Sequence, residues 1–352
     1  MPPPSLIAIL NDIFLGSLVN RPVQPVTLPA DELMHGVAVE WWYFVGHLKE
    51  TAIPANRFAF EMTALRLTSR ISVPFDTCYV AVIDLAQQQY VSADRQSTSA
   101  YRQGTDWFAL AFEPPLGQPG IWTIKGTTVP NLRYELDAAF QVPSTRQQRA
   151  LRLTFTDTAA KPVLLHGNKG VVPIFGLEVG YYSRTRLAVS GGLTLDARHL
   201  LVDGDGWMDH EYGIADLANS RWIFIAAQLV TGEELCVVRL TNRNDGTLGL
   251  SYAWLVPTVG NPNERAVPVI TPYGGVYDPG GYLLRNRIQV TFPTNGATFD
   301  LRVEPEFDQQ RRVPTGETAL PFVTFWEGAA KVLDYNTGAS LGRAFLELAG
   351  YE

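Results

Sequence analysis

From Arg57 onward the chain alternates apolar and polar residues with a period of two, in stretches such as RFAFEMTALRL, TCYVAVIDL, WFALAF, LRYELDAAF and ALRLTF. Successive side chains of an extended strand point to opposite faces, so the pattern predicts strands with one buried face. Turn chemistry separates the runs. Thr231-Gly232 divides RWIFIAAQLV from EELCVVRLT, while Asp245-Gly246 and Asn295-Gly296 carry the signature of type I′ hairpins. About a dozen such runs occur with no long amphipathic helix between them, which excludes a parallel α/β sheet. The predicted class is all-β, its short antiparallel strands closed into barrels or stacked as sandwiches.

Only the N-terminus departs from this pattern. Leu6, Ile9, Leu10, Ile13, Phe14 and Leu18 fall near helical spacing and predict a short amphipathic helix. Packing on the body of the protein is its plainest use, and peripheral membrane contact is the alternative. No run approaches the roughly 20 apolar residues that span a bilayer. A break at Ile214 to Ser220, before the fresh hairpin at Arg221-Trp222, divides the chain into an N-terminal domain, 1–218, and a C-terminal domain, 219–352.

Composition narrows the partners. A formal charge of −7 with no block of Lys or Arg argues against nucleic acid, whose phosphates demand a basic face. Cys78 and Cys236 both sit in apolar, strand-like runs without metal-binding spacing, so they are expected to be buried thiols in a reducing compartment, the cytoplasm. Barrels and sandwiches of such strands can both hold an apolar ligand.

Candidate chemistry concentrates in GDGWMDHEYG, Gly204 to Gly213. In an extended strand Trp207, Asp209 and Glu211 share one face, while Met208 and His210 point the other way. If Trp207 faces an apolar pocket, Asp209 goes with it, and desolvation raises its pKa toward a value where it can donate a proton at neutral pH. The alternative is a structural acid that pairs with Arg184 or Arg186. EWWYF presents Glu40, Trp42 and Phe44 on one face and Trp41, Tyr43 and Val45 on the other, which suggests a strand buried on both sides. Glu40 is expected to pair with Arg184 or Arg186, and Glu61 either faces solvent or enters the cavity. HGNKG, His166 to Gly170, reads as a mobile loop that can cover a pocket mouth. HEYGI lacks the second histidine of a zinc helix and no G-x-S-x-G elbow occurs, so neither metal nor cofactor is expected, nor serine hydrolase chemistry.

Three stretches together carry a resemblance: EWWYFVGHL at 40–48, YYSRTRLAVSGGLTL at 181–195 with WMDHEYG at 207–213, and FWEGAAKV with GRAFLELAGYE toward the C-terminus. They resemble the lipocalin-like AttH and carotenoid 1,2-hydratase group, which also contains kievitone hydratase and fungal Diels-Alderases. The resemblance implies two lipocalin-like β domains and a hydrophobic, alkene-bearing ligand. It matches an aromatic-x-aspartate motif to Trp207 and Asp209 and an upstream aromatic position to Tyr182. The sequence departs from the hydratases at Gly180, where they carry a histidine. Asp209 and Tyr182 are therefore the expected catalytic pair, with Trp42, Glu40, Glu61, Trp207, His210, Arg184, Trp222 and Trp326 expected around the substrate. Acid-catalysed hydration or cyclisation of C=C bonds is the leading expectation. A conformational template for pericyclic cyclisation and a non-catalytic lipid carrier are the alternatives.

Overall fold

The computed structural model describes residues 23–68, 74–115, 117–128, 131–142, 145–157, 161–213, 219–274, 276–277, 283–292, 300–312 and 325–351. The expected N-terminal helix and the Asn295-Gly296 turn lie outside these residues. So does most of the expected domain break.

The fold is all-β, built from two curled antiparallel sheets with almost no helix. The first sheet begins with β1 (Val39–Glu50), β2 (Arg57–Leu67), β3 (Phe75–Asp84), β4 (Gln89–Ser97), β5 (Tyr101–Gln103) and β6 (Trp107–Phe112). It continues with β7 (Trp122–Thr127), β8 (Arg133–Gln141), β9 (Gln148–Thr156), β10 (Leu164–Leu165), β11 (Val171–Ile174), β12 (Leu177–Leu195) and β13 (Arg198–Gly213). Its order is β4-β3-β2-β1-β13-β12-β9-β8-β7-β6-β5, with β10 and β11 also paired to β12. The last strand therefore inserts beside the first.

The second part of the chain supplies β14 (Ser220–Leu229), β15 (Glu234–Asn242), β16 (Leu248–Val256), β17 (Asn263–Glu264) and β18 (Val269–Tyr273). After the small hairpin of β19 (Val276–Tyr277) and β20 (Leu283–Leu284) come β21 (Arg287–Thr291), β22 (Leu301–Pro305), β23 (Phe325–Asp334) and β24 (Ser340–Ala349). The second sheet runs β17-β16-β15-β14-β24-β23-β22-β21-β18. Several strands of two to four residues, such as β10 and β17, are too short to show alternation, which is why the sequence reveals only about half of them.

Burial follows parity. Trp42, Phe44, Phe60, Phe108, Tyr134 and Phe155 belong to an apolar cluster drawn from the first sheet, and Ile223, Ile225, Val237, Val303, Trp326 and Leu346 to one drawn from the second. A third cluster takes side chains from both sheets, among them Tyr43, Val45, Tyr181, Trp207, Phe224, Val238 and Tyr252. Each curled sheet thus has its own core, and their other faces pack together. β1 is buried on both sides as expected, because its even positions enter the first core and its odd ones the layer between the sheets.

The Thr231-Gly232 turn joins β14 to β15, with Gly232 in the left-handed region at φ +88°. At Asp245-Gly246 only the glycine has positive φ, and Gly246 N–H donates to Asn242 O. A longer loop stands there instead of a type I′ turn, which needs both central residues at positive φ.

Ion pairs between the sheets flank the shared layer. Glu234, fully buried on β15, accepts from Arg186 Nε at 2.5 Å and lies 3.2 Å from Lys161 Nζ, while Gln228 Nε2 donates to the backbone of Thr185 and Gly206. Arg186 therefore serves the seam between sheets.

Candidate active site

Between the sheets lies a cavity of about 150 Å³. That is room for on the order of ten waters, or an apolar ligand in their place. The first sheet contributes Trp41, Tyr43, Thr63, Leu65, Thr77, Tyr79, Tyr181, Asp209 and Glu211; the second contributes Trp222, Phe224, Val238, Leu240, Leu250, Tyr252, Phe325 and Glu347, with Arg312 at its side. Rings and aliphatic chains form most of the wall. Carboxyl groups interrupt it.

Asp209 is positioned by three adjacent strands. On β13 it stands opposite Tyr43 of β1 and Ser183 of β12. Trp207 Nε1 donates to its Oδ1 at 2.6 Å and Tyr181 O–H donates to its Oδ2 at 3.0 Å, with Ser183 a further hydrogen-bond partner. These donors favour the anion, but complete burial opposes it and wins, leaving the pKa at about 7. Among the described residues, no arginine pairs with Asp209. Arg184 binds Glu32 and Arg186 binds Glu234, so the alternative of a structural acid bridging either one does not hold.

Behind Asp209 a buried relay returns to the cavity. His166 Nε2 lies 2.7 Å from Ser183 Oγ, its Nδ1 lies 2.8 Å from Tyr252 O–H, and its ring stacks on Tyr181 with centroids 3.6 Å apart. Burial holds the imidazole pKa well below its usual value, so this ring is neutral. HGNKG is therefore no free loop at its start, because His166 is fully buried and locked between two hydroxyls.

The remaining acids share the same layer. Glu327 on β23 and Glu347 on β24 are directly opposite cross-strand neighbours. Burial pushes both pKa values well above the usual carboxylate range, helped by the Glu61 charge at Glu327 and by the Glu327 charge at Glu347, and burial does the same to Glu211. Glu61, opposite Val45, is buried with its pKa at about 8, chiefly through desolvation; Thr63 Oγ1 donates to its Oε1 at 3.1 Å. Neither oxygen of Glu327 meets a partner at hydrogen-bonding geometry, although Glu61 and Tyr43 lie close enough to influence it. Two like charges so near in a dry layer resist ionising together, so the layer around the cavity favours the protonated form of its glutamates. Arg312, whose guanidinium lies over Tyr79 at 4.0 Å and Phe325 at 5.0 Å, leaves its buried Nε without an acceptor.

Of the residues expected at the site, Asp209 and Trp222 line this cavity, Trp207 buttresses it, and Glu61 sits in the same layer. The others do not. Tyr182, Trp42, Glu40, His210 and Arg184 lie on the opposite side of the first sheet, where Tyr182 O–H donates to Glu32 Oε2 and Trp42 stacks on His210. Glu40 pairs with His35 and His210, at 2.9 Å each, and with neither arginine. Trp326 packs in the core of the second sheet, its Nε1 donating to Asp308 O.

Parity explains the main error. Tyr181, not Tyr182, shares the face of Asp209, and Trp41 and Tyr43, not Trp42, face the cavity. Alternation within YYS and EWWYF does separate the two sides, but only the register of β12 and β1 against β13 assigns each side to a compartment. Glu347, Arg312 and Tyr252 arrive from the second sheet, and no local signal in the sequence marks them. At Gly180, an added Cβ would fall 2.3 Å from the Tyr212 ring, so the chain has no room for the side chain found in the hydratases it resembles.

Comparison with known proteins decides the family. Residues 19–351 match the AttH-like family. The chain belongs to the AttH-like family. The solved structure of an AttH protein from Nitrosomonas europaea superposes with a TM-score of 0.77 at 20% identity, covering 95% of this chain and 99% of that one. Kievitone hydratase from Nectria haematococca follows at TM-score 0.64 and 13% identity, with 93% and 94% covered. CghA, a Diels-Alderase solved with Sch210972, gives 0.52 at 14% identity, with 89% and 88% covered. Searching the curated proteins finds no match to the sequence. At these identities the likeness shows the fold, which is lipocalin-like. No helix among the described residues is long and apolar enough to cross a membrane.

Proposed function

We propose that this AttH-like protein is an enzyme that takes a small, hydrophobic, unsaturated molecule into the cavity between its sheets and hydrates or cyclises it by proton transfer from Asp209. We read the two sheets as two domains, 1–218 and 219–352, with the reaction at their junction.

One observation carries this reading: a carboxyl group lining an apolar, ring-walled cavity with its pKa at about 7. A general acid works best when its pKa lies near the operating pH, since it must hold a proton and also release it. The three donors around Asp209 stabilise the anion left behind. The carbocation formed on an alkene would face the π systems of Trp41, Tyr43, Trp222 and Phe224, which favour positive charge. Ser183, His166 and Tyr252 offer a hydrogen-bonded path by which Asp209 regains its proton from the cavity. The relatives named hydratase and Diels-Alderase support an enzyme on this fold. Neither supplies the substrate.

Turnover of polyene or prenylated candidates in D2O tests the assignment. Acid catalysis places one non-exchangeable deuterium on carbon, and Asp209→Asn abolishes its incorporation while ligand binding survives. Product without deuterium refutes it.

The second reading, a template for pericyclic cyclisation, is favoured by Arg312 alone. Its unpartnered Nε at the cavity suits a carbonyl oxygen, and such a hydrogen bond activates a dienophile without proton transfer to carbon.

A further inference from the structure

On the far side of β13 from Asp209, inside the first sheet, three side chains converge. His35 Nδ1 and His210 Nε2 each lie 2.9 Å from the same oxygen, Glu40 Oε1, and the three ligand atoms fall within 4.8 Å of one another. They come from separate parts of the chain: the segment after the 3-10 turn Ala30–Glu32, β1 and β13. Their rings are braced, with Tyr212 stacked on His35 at 3.4 Å between centroids and Trp42 on His210 at 4.7 Å. Glu40 and His210 are buried, and His35 is 19% exposed, which gives an entry path.

We propose that His35, Glu40 and His210 bind one divalent transition-metal ion of the zinc class. The argument is a count of protons. His35 Nε2 lies 3.1 Å from Asp31 Oδ1, and its Nδ1 faces Glu40, so with both partners ionised both ring nitrogens must donate. His210 Nε2 must donate to Glu40 for the same reason. Its Nδ1 lies 3.2 Å from the Tyr182 oxygen, whose own proton goes to Glu32 Oε2 at 2.7 Å. Without an ion, two imidazole nitrogens crowd one carboxylate oxygen, with ring centroids only 5.6 Å apart.

A single divalent cation would take the place of the inward protons and bind both rings as neutral ligands, each keeping its outer nitrogen for its partner, Asp31 or Tyr182. Metal-bound histidines are commonly oriented in this way, by a carboxylate or another acceptor on the far nitrogen. Ligand atoms at bonds of 2.0–2.2 Å around a tetrahedral ion sit about 3.3 Å apart, so each imidazole nitrogen would move back from Glu40 Oε1 by about half an ångström while the two nitrogens, now within 4.8 Å of each other, draw together. Two nitrogens and one oxygen suit zinc, cobalt or iron(II) better than calcium or magnesium, which prefer oxygen. The ion would fasten the Ala30–Glu32 turn to β1 and β13, independently of the reaction proposed for the cavity.

The test uses the full-length protein stripped with chelator and then titrated with cobalt(II), followed by visible d–d absorption, and with zinc(II), followed by calorimetry and thermal unfolding. One equivalent of either ion is expected to bind with micromolar or tighter Kd, and zinc to raise Tm. His35→Ala, on the exposed edge and least disturbing to folding, is expected to weaken binding at least tenfold and erase the Tm shift. Glu40→Gln and His210→Ala are expected to do the same where they fold. Absence of stoichiometric binding overturns the proposal, as does binding undiminished in His35→Ala; His199→Ala, a surface control, is expected to bind as the parent does.

Discussion

Trp207 Nε1 reaches two residues along its own strand to donate to Asp209 Oδ1 at 2.6 Å. A short, buried hydrogen bond to the ionised form lowers the carboxyl pKa, and here it keeps Asp209 at about 7 when burial alone would drive it higher. Trp207→Phe keeps the ring and removes the donor. Hydrogen bonds to a charged group contribute about 1.5–3 kcal/mol, which is roughly one to two pH units. The pKa governing kcat is expected to rise by that amount, as read from the pH profile of turnover. An unchanged profile would show that Asp209 does not set the rate.

Asp209→Asn is expected to separate activity from stability. The folded pKa of about 7 lies above the ordinary value of 3.8, so between these limits the unfolded chain holds fewer protons than the native one. Stability therefore falls as pH rises through this window, and the full penalty is present above it. The asparagine variant lacks that penalty, at the cost of an imperfect match to two donors. Its stability relative to the parent should grow by about a few kcal/mol from pH 4 to pH 8, as measured by denaturant unfolding, while proton-dependent turnover falls by orders of magnitude.

Arg312→Met distinguishes the two chemical readings. Loss of the guanidinium should slow a template-driven cyclisation about 10²-fold or more, by analogy with removal of an oxyanion donor. Proton-initiated hydration should change far less. Single-turnover rates on one substrate, measured for Arg312→Met and Asp209→Asn together, give opposite orders of severity for the two mechanisms.

Glu32 organises the other side of the first sheet, and its removal is expected to cost folding rather than chemistry. It is fully buried and accepts from Tyr134, Tyr182 and both Nε and Nη2 of Arg184. Glu32→Ala strands two buried phenols and leaves the part-buried Arg184 guanidinium with only Asp157, a loss of about 3 kcal/mol. Tm should fall markedly, and a Glu32→Ala/Arg184→Met double variant should recover part of the loss.

The class of the fold and the two-sided burial of the strand that carries Asp209 were legible in the sequence because alternation is a direct image of burial. RFAFEMTALRL, WFALAF and ALRLTF are strands as read, and Trp207, Asp209 and Glu211 do share one face. The partners of Asp209 were not legible to the same degree. Choosing Tyr181 over Tyr182 requires the cross-strand register, and a register shift between Arg184 and Leu187 breaks simple counting along β12. Arg312 and Glu347 depend on how one curled sheet lies on another, which no local pattern encodes. His35 stood outside every motif, and its tie to His210 emerges only when β1 and β13 are set side by side.

β13 is a partition with two furnished sides. Asp209 looks into one room and His210 into the other, so a one-residue insertion or deletion within WMDHEYG would trade their views and empty both. Sequence drift in this strand is confined to swaps in place or to steps of two, and a designer who wishes to retune one room can edit odd positions without disturbing the tenants behind the wall.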